Sequence, residues 1–269
     1  MKAIVYKQYG GPDVLHVEDV EKPKPAANQV LISVRAVEAT KADCEMRSFK
    51  FAVSWFWLPL RIMLGLGKPR NPILGNYFAG VVEATGIDVS KFQKGENIFG
   101  AAGLRMGAYA EHLCIADSCT MVTMPVNMSF AEAASVPLGG LNALHFMRKA
   151  DIRKGDKVLV NGAGASIGTF AVQIAKAMGA EVTAVDSGIK EAMLRDIGAD
   201  HFVDYTKTDF TKSGDTYDVI FSMVAQASYS SCVRALKPLL RQLVRRKVRE
   251  GQFTLLVDAL DQTNQGRTN

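Results

Sequence analysis

Between Lys157 and Asp186 the hydrophobic spacing changes from strand-like to helical and back, with a cluster of glycines at the first change. Residues 157 to 160 form a short apolar run, and Ile167, Phe170, Ala171, Ile174, Ala175 and Met178 then recur at helical spacing. A second apolar run ends in Asp186. Strand, tight turn, amphipathic helix and a second strand ending in a carboxylate together make the pattern of a βαβ nucleotide site. The turn itself, Gly162-Ala163-Gly164-Ala165-Ser166-Ile167-Gly168, has a GxGxxxG spacing, one residue longer than the common GxGxxG. Glycines there let the main chain turn sharply and approach a pyrophosphate, whose charge meets the free amides at the helix start. Asp186 lies 18 residues beyond Gly168, close to the spacing at which an acidic side chain receives a ribose hydroxyl. The competing expectation is a strand-turn-helix that binds no phosphate.

At 269 residues the chain is long enough for one large or two ordinary domains. Hydrophobic content of 48% and charged content of 22% are those of a globular protein, which argues against disorder. A formal charge of +5 admits an anionic partner. Part of that excess sits in one late cluster, however, and its size is ordinary for an enzyme, so nucleic acid is the minor alternative. The four cysteines, Cys44, Cys114, Cys119 and Cys232, include no CxxC pair and no metal spacing. Met1 leads directly into the strand-like Ala3-Ile4-Val5-Tyr6, so no cleavable signal is expected and a reducing cytoplasm is the expected compartment. The apolar stretch from Phe49 to Leu66 is broken by Lys50, Pro59 and Arg61. It is expected to be buried or to line a cleft, at most touching a membrane surface, rather than to span one.

Residues 1 to about 122 read as β-structure: short strand-like runs at 3 to 6, 15 to 20, 29 to 39, 78 to 84, 97 to 99 and 108 to 115 suggest a partly open barrel. Gly10-Gly11-Pro12 and Lys94-Gly95-Glu96 mark turns joining neighbouring strands. From Ser129 the pattern becomes helical, with Ser129 and Glu132 forming a capping box and a second helical run from Leu141 to Lys149. After Asp186 the alternation continues: a helix from Lys190 to Ile197, strands at 201 to 203 and 217 to 224, and a helix from Tyr229 to Leu236. This is half or more of a doubly wound sheet. The expected division is 1 to 122, 123 to 238, and a tail from 239 to 269. His16, His112, His145 and His201 have no carboxylate or cysteine at ligand spacing and are expected to be surface or core residues.

Several motifs stand in a characteristic order: Gly10-Gly11-Pro12 with Leu15, Gly80-Val81-Val82-Glu83, Gly107-Ala108-Tyr109-Ala110-Glu111, Ala133-Ala134-Ser135-Val136-Pro137, the glycine turn, Gly198-Ala199-Asp200 and Asp204-Tyr205. In these the chain resembles the medium-chain dehydrogenase/reductase superfamily, specifically its zinc-free quinone oxidoreductase branch, over residues 1 to 238. The resemblance implies an α/β protein with a GroES-like, partly open β-barrel domain followed by an incomplete doubly wound Rossmann domain. It further implies hydride transfer from a reduced nicotinamide to a quinone or an α,β-unsaturated carbonyl. Where zinc-using relatives hold metal with Cys and His, this sequence has Thr40 and Asn76, so no metal is expected. By family position Thr40 and Tyr77 are candidate donors to the acceptor oxygen, with Asp43 as their orienting partner. Asn142 stands where relatives commonly have Thr near the cofactor phosphate; it either donates there or caps the following helix. Ala165 stands where relatives usually carry glycine. Asp186 favours NAD(H), whereas Ser187, Lys190 and Tyr205 occupy positions where NADPH-using relatives hold the 2′-phosphate; the balance leans slightly to NADP(H). The aromatic stretch from Phe49 to Trp57 is either packing or, as in this branch, a wall of the acceptor cleft.

After Leu236-Lys237-Pro238 the family pattern stops and a basic run, residues 239 to 250, takes its place. Either the tail is a divergent replacement, or a deletion or altered reading frame has removed the last strands. A sheet ended there would expose an edge. The tail is expected as an amphipathic helix against that face, with phosphate or membrane contact as its alternative role. Relatives often dimerise through the replaced strands, so a homodimer built that way is not expected. The alternative to an active enzyme is an impaired paralogue that binds nucleotide without catalysis.

Overall fold

In the computed structural model, residues 1–51, 57–224 and 227–238 are described. Most of the aromatic stretch from Phe49 to Trp57 and the whole tail from residue 239 lie outside them, as does the nucleic-acid alternative that rests on that tail. The chain forms two compact units, Met1–Pro137 and Leu138–Asn269.

In the first unit, β1 (Lys2–Tyr6) and β2 (Leu15–Asp19) pair antiparallel, from Lys2 opposite Asp19 to Tyr6 opposite Leu15. The Gly10-Gly11-Pro12 turn joins them through a short 3₁₀ segment, Pro12–Val14, in which proline occupies an early helical position where no N–H is needed. Next come β3 (Gln29–Glu38), α1 (Lys41–Ser48), α2 (Trp57–Leu64), β4 (Tyr77–Thr85), β5 (Asn97–Ala101), β6 (His112–Ala116) and β7 (Met121–Thr123). The last five strands named here, β3 to β7, form one antiparallel sheet in the order β6-β3-β4-β5-β7. Register shifts in β3 at Leu31/Ile32 and Val34/Ala36 increase its bend, as bulges do in barrels. Val30, Ile32, Phe78, Val82, Ile98 and Ile115 are fully buried and form the centre of the core. Main-chain bonds from Ile4 N–H to Tyr109 O (2.8 Å) and from Glu111 N–H to Lys2 O (3.0 Å) tie β1 to the segment carrying Tyr109.

A 20-residue helix, α3 (Phe130–Lys149), supplies residues to both units, starting at the expected capping box. Ser129 N–H donates to Glu132 Oε2 (2.8 Å) and Glu132 N–H to Ser129 Oγ (3.3 Å). The two helical runs expected here are one helix that continues through Pro137. Proline removes one N–H, and Gly139 and Gly140 weaken the helix further. Packing outweighs that local preference: Ala133 and Ala134 are buried in the first unit's core, Ala143 and Met147 in the second's.

The second unit continues with β8 (Lys157–Asn161), α4 (Ser166–Ala177), β9 (Glu181–Asp186), α5 (Glu191–Asp196), β10 (His201–Asp204), β11 (Val219–Ser222) and α6 (Tyr229–Arg234). Its strands are all parallel in the order β10-β9-β8-β11, the first four strands of a doubly wound sheet. Val158, Val160, Val182 and Ala184 pack on one face with Ala171, Val172 and Ala175 of α4. Leu159, Val185 and Ile220 pack on the other with Phe210 and Tyr217. Both faces are covered, which is why β8 and β9 are near-continuous apolar runs rather than alternating ones.

Candidate functional site

The glycine turn connects β8 to α4 in the second unit. Gly162 lies at φ +86°, a left-handed conformation that lets the chain leave the strand end sharply. Ala165 is the N-cap of α4 and makes no side-chain capping bond, so its methyl leaves the helix's amide end to an outside acceptor. Gly168 sits in the first turn of α4, fully enclosed. A Cβ there would lie 2.6 Å from Ala163 O, 2.7 Å from Ala163 Cα and closer still to Gly162 O. Its hydrogen allows the helix to seat directly on the turn, the role expected of the third glycine in such a motif.

Asp186, at the end of β9, reaches back to the turn. Gly164 N–H donates to its Oδ2 (2.8 Å), Ser187 N–H and the Ser187 hydroxyl donate to its Oδ1 (2.8 and 3.3 Å), and Lys190 Nζ lies 3.1 Å from Oδ1. The same ammonium donates to Gly164 O (3.2 Å). Burial pushes the Asp186 carboxyl up, but the amides of Ser187 and Gly164 and the Lys190 charge outweigh it and hold it below the usual carboxylate range. The pair is therefore charged and mutually compensated. Beside it opens a cavity of about 480 Å³ at the carboxyl ends of β8, β9 and β11, lined by Asn161, Gly162, Asp186, Tyr205, Phe210 and Val224 among others. Tyr205 is exposed at its rim, with its main-chain N–H donating to Asp186 O (3.2 Å). Asn142 takes no part in this arrangement: its Nδ2 donates to Leu138 O one turn earlier in α3 (2.8 Å).

In the first unit, Thr40 is the N-cap of α1 and Asp43 its third residue, forming a reciprocal capping box. The Thr40 N–H and hydroxyl donate to Asp43 Oδ2 (2.9 and 2.6 Å), while Asp43 N–H donates to Thr40 Oγ1 (3.2 Å). Gly75 N–H reaches Asp43 Oδ1 (3.3 Å), and the Tyr109 phenol stands beside the carboxylate, whose charge helps to raise it. Gly75, at φ +90°, allows this: a Cβ would sit 2.8 Å from Tyr109 Cε1. Tyr77, at the start of β4, stands on the same margin of the unit. Burial, then the charges of Glu38 and Asp43, raise its phenol above the usual range, while a hydrogen bond from Asn76 opposes them. The same buried carboxylate helps raise Tyr109, and Tyr6 is pushed up to about 12, burial being the leading cause for both. All three phenols stay protonated near neutral pH. The single proton of Thr40 is committed to Asp43. The Tyr77 phenol, held above the usual range, keeps its proton and can act as a donor. The Asn76 Oδ1 is buried and has no partner among the described residues.

Sequence spacing does not reveal Tyr109 or Gly75, because both reach Asp43 through tertiary structure. The usable signal is the Gly107-to-Glu111 motif, in which Tyr109 is the only residue able to donate a side-chain hydrogen bond. Two of the histidines that have no carboxylate at ligand spacing along the chain meet one through the fold: His112 Nε2 is 3.0 Å from Glu83 Oε2, and His201 Nε2 is 2.7 Å from Glu181 Oε1. These pairs form across strands, where neighbours are distant in the chain. Among the described residues no three His, Cys, Asp or Glu side chains come together in a way that could hold a metal ion. No helix among them is long and apolar enough to cross a membrane.

Residues 26–144 match the family model described as alcohol dehydrogenase GroES-like domain, and residues 166–243 that described as zinc-binding dehydrogenase. The 2-methylene-furan-3-one reductase of Solanum lycopersicum is 31% identical over 84% of this chain and 58% of its own length. The chloroplastic NADPH-dependent alkenal/one oxidoreductase of Arabidopsis thaliana is 30% identical over 88% and 59%. The chain thus spans less than two thirds of either relative. The quinone oxidoreductase of Sus scrofa is 32% identical over 88% of this chain and 70% of its own length. Among solved structures, the quinone oxidoreductase of Coxiella burnetii superposes with a TM-score of 0.79 at 27% identity, covering 99% of this chain and 84% of that one. The four-stranded parallel order, the GroES-like sheet and these matches agree: the chain belongs to the medium-chain dehydrogenase/reductase superfamily, among its quinone oxidoreductase homologues.

Proposed function

We propose that this chain is a zinc-independent, NAD(P)H-dependent oxidoreductase that reduces a quinone or an α,β-unsaturated carbonyl. The observation that carries the proposal is the joint presence of the uncapped α4 amide end, the tightly seated Gly168 and the Asp186-Lys190 pair beside the cavity. Backbone amides and space for close approach suit a pyrophosphate, and the cavity at the ends of β8 and β11 lies at the switch point of the sheet order. When bound, a reduced nicotinamide supplies the hydride. The chain's own residues then have to hold the acceptor and its developing negative charge. Tyr77 is the proposed donor to the acceptor oxygen, and Thr40 and Asp43 are positioning residues that fix the start of α1. A hydroxyl at Thr40 and an amide at Asn76, in place of thiolate and imidazole, are poor zinc ligands, which supports the zinc-independent assignment.

For the cofactor we favour NADP(H) slightly. Lys190, Ser187 and Tyr205 surround the strand end that a 2′-phosphate would reach, and Asp186 opposes that phosphate only in part because four donors already compensate it. The relative named as NADPH-dependent agrees with this choice. Replacing Asp186 by serine removes the repulsion and frees Lys190, so it is expected to tighten NADPH binding roughly tenfold and to weaken NADH binding. Lys190→Ala is expected to weaken NADPH roughly tenfold and leave NADH nearly unchanged. Fluorescence titration of both cofactors against the three proteins checks this. The activity itself is tested by NAD(P)H oxidation with a panel of quinones and enones. Tight binding without turnover on any acceptor would leave only a nucleotide-binding protein.

A further inference from the structure

Helix α2 has its polarity reversed. Its one charged residue, Arg61, turns inward: the guanidinium carbon lies 4.3 Å from the ring centres of both Tyr9 and Phe49, and Nε donates to Leu66 O (2.8 Å). Tyr9 in turn caps the helix end, its hydroxyl donating to Leu64 O (3.1 Å) and Gly65 O (3.0 Å). The outward face is apolar. Leu58 is 57% exposed, Ile62 51%, Met63 46% and Leu66 66%. Leu58 and Ile62 stand one turn apart in α2 and share a face, Met63 lies beside Ile62, and Leu66 is exposed just past the helix end, beyond Gly65. A helix in a water-facing position normally shows the opposite arrangement, and an apolar patch marks a surface that meets something.

The surrounding charge says what. From Met46 to Val82 the chain contains Arg47, Lys50, Arg61, Lys68 and Arg70 and no aspartate or glutamate. Lys50, Lys68 and Arg70 are exposed, and none of the three makes an ion pair among the described residues. An apolar patch within a stretch of chain that carries three exposed cations without ion pairs and no carboxylate, the nearest acid in sequence, Glu45, being paired with Lys41, complements an anionic lipid surface, where the patch enters the acyl boundary and the cations meet headgroup phosphates. A protein partner or a second copy of this chain would have to supply acidic residues. We propose that the α2 segment docks the protein peripherally on anionic membrane. The proposal is independent of the reaction assigned above, because binding is measured without cofactor or acceptor.

The test is co-sedimentation of the full chain with vesicles of phosphatidylcholine alone and of phosphatidylcholine mixed with phosphatidylserine. Binding to the mixed vesicles only, weakening as salt is raised, is expected. Ile62→Glu should lower that binding roughly tenfold or more by placing a charge at the acyl boundary, and Lys68→Ala with Arg70→Ala should lower it by about fivefold for each cation removed. All three positions are exposed, so unchanged thermal melting verifies folding. Failure to bind either vesicle overturns the proposal. So does binding that Ile62→Glu leaves intact, which would place the contact in the basic run from residue 239. A concentration-dependent dimer that Ile62→Glu dissolves, without vesicle binding, overturns it in favour of a second copy.

Discussion

Gly168→Val is expected to lower the stability of the chain by about 3 kcal/mol and to abolish measurable nicotinamide cofactor binding. The new side chain would start 2.6 Å from Ala163 O and 2.7 Å from Ala163 Cα, with Gly162 O closer still. All three are main-chain atoms of the turn, so none can swing aside as a flexible side chain would. Either α4 lifts from the end of β8 or the turn opens. The first exposes part of the packing of Ala171, Val172 and Ala175 against β8 and β9; overpacking of this kind typically costs about 1–3 kcal/mol, and branching at Cβ adds to it within a helix. The second moves the amides that a pyrophosphate would use. Gly67→Ala is the matched control: a Cβ there meets nothing within 4 Å, and a change near zero is expected. Gly164→Ala separates the two effects, because its Cβ would press on the flexible Lys190 side chain and lie 2.9 Å from Asp186 Oδ2. That variant should fold and bind cofactor more weakly. Urea unfolding with cofactor titration measures both quantities, and a Gly168→Val protein of unaltered stability would show that the helix is not seated as described.

The glycine turn was legible in sequence because everything that defines it is local. The spacing of Gly162, Gly164 and Gly168, the period change on either side and the carboxylate at Asp186 all fall within 30 residues. The same holds for the Ser129-Glu132 capping box. What the sequence hid is made by contacts between distant segments. Helix α1 was missed because it is short, yet Thr40 and Asp43 are three apart, the same spacing as in a capping box, with aspartate in place of the more usual glutamate. Continuity of α3 through Pro137 was hidden by the reliability of proline and glycine as local breakers; burial of alanines on both sides decided it. Asp186 and Lys190 were each expected to touch a cofactor, on opposite sides of the NAD(H) and NADP(H) question. They stand only four residues apart, but Asp186 ends a strand and Lys190 lies in the turn after it, so outside a helix that spacing alone does not announce the 3.1 Å pair. Composition also left the outward apolar face of α2 invisible, since Arg61 in the sequence looks like an exposed cation and only the rings of Tyr9 and Phe49 show where it goes.

Asp43→Ala should cost about 3–5 kcal/mol, the other large effect expected of a single substitution. Three donors converge on that carboxylate, the Thr40 N–H and hydroxyl and the Gly75 N–H, with the Tyr109 phenol beside it. Removing the acceptor strands groups that are wholly or partly buried, at roughly 1–3 kcal/mol for each one that water does not reach, and also removes half of the capping box of α1. Asp43→Asn is expected to fall between, since its oxygen can keep the Thr40 donors while its NH₂ meets the Gly75 N–H as donor against donor. The same change has a spectroscopic signature. Asp43 contributes to raising the phenols of Tyr77, Tyr109 and Tyr6, so in Asp43→Asn the tyrosinate absorbance should appear at lower pH than in the parent. Tyr77→Phe provides the contrast: it should leave α1 and its stability nearly intact and, if Tyr77 donates to the acceptor oxygen, lower kcat about 10²-fold with little change in KM for the cofactor. Stability lost with Asp43 and turnover lost with Tyr77 would separate the residue that holds the site in place from the one that acts on the acceptor. Equal loss of stability in both variants would instead make Tyr77 a packing residue and move the donor role to another hydroxyl.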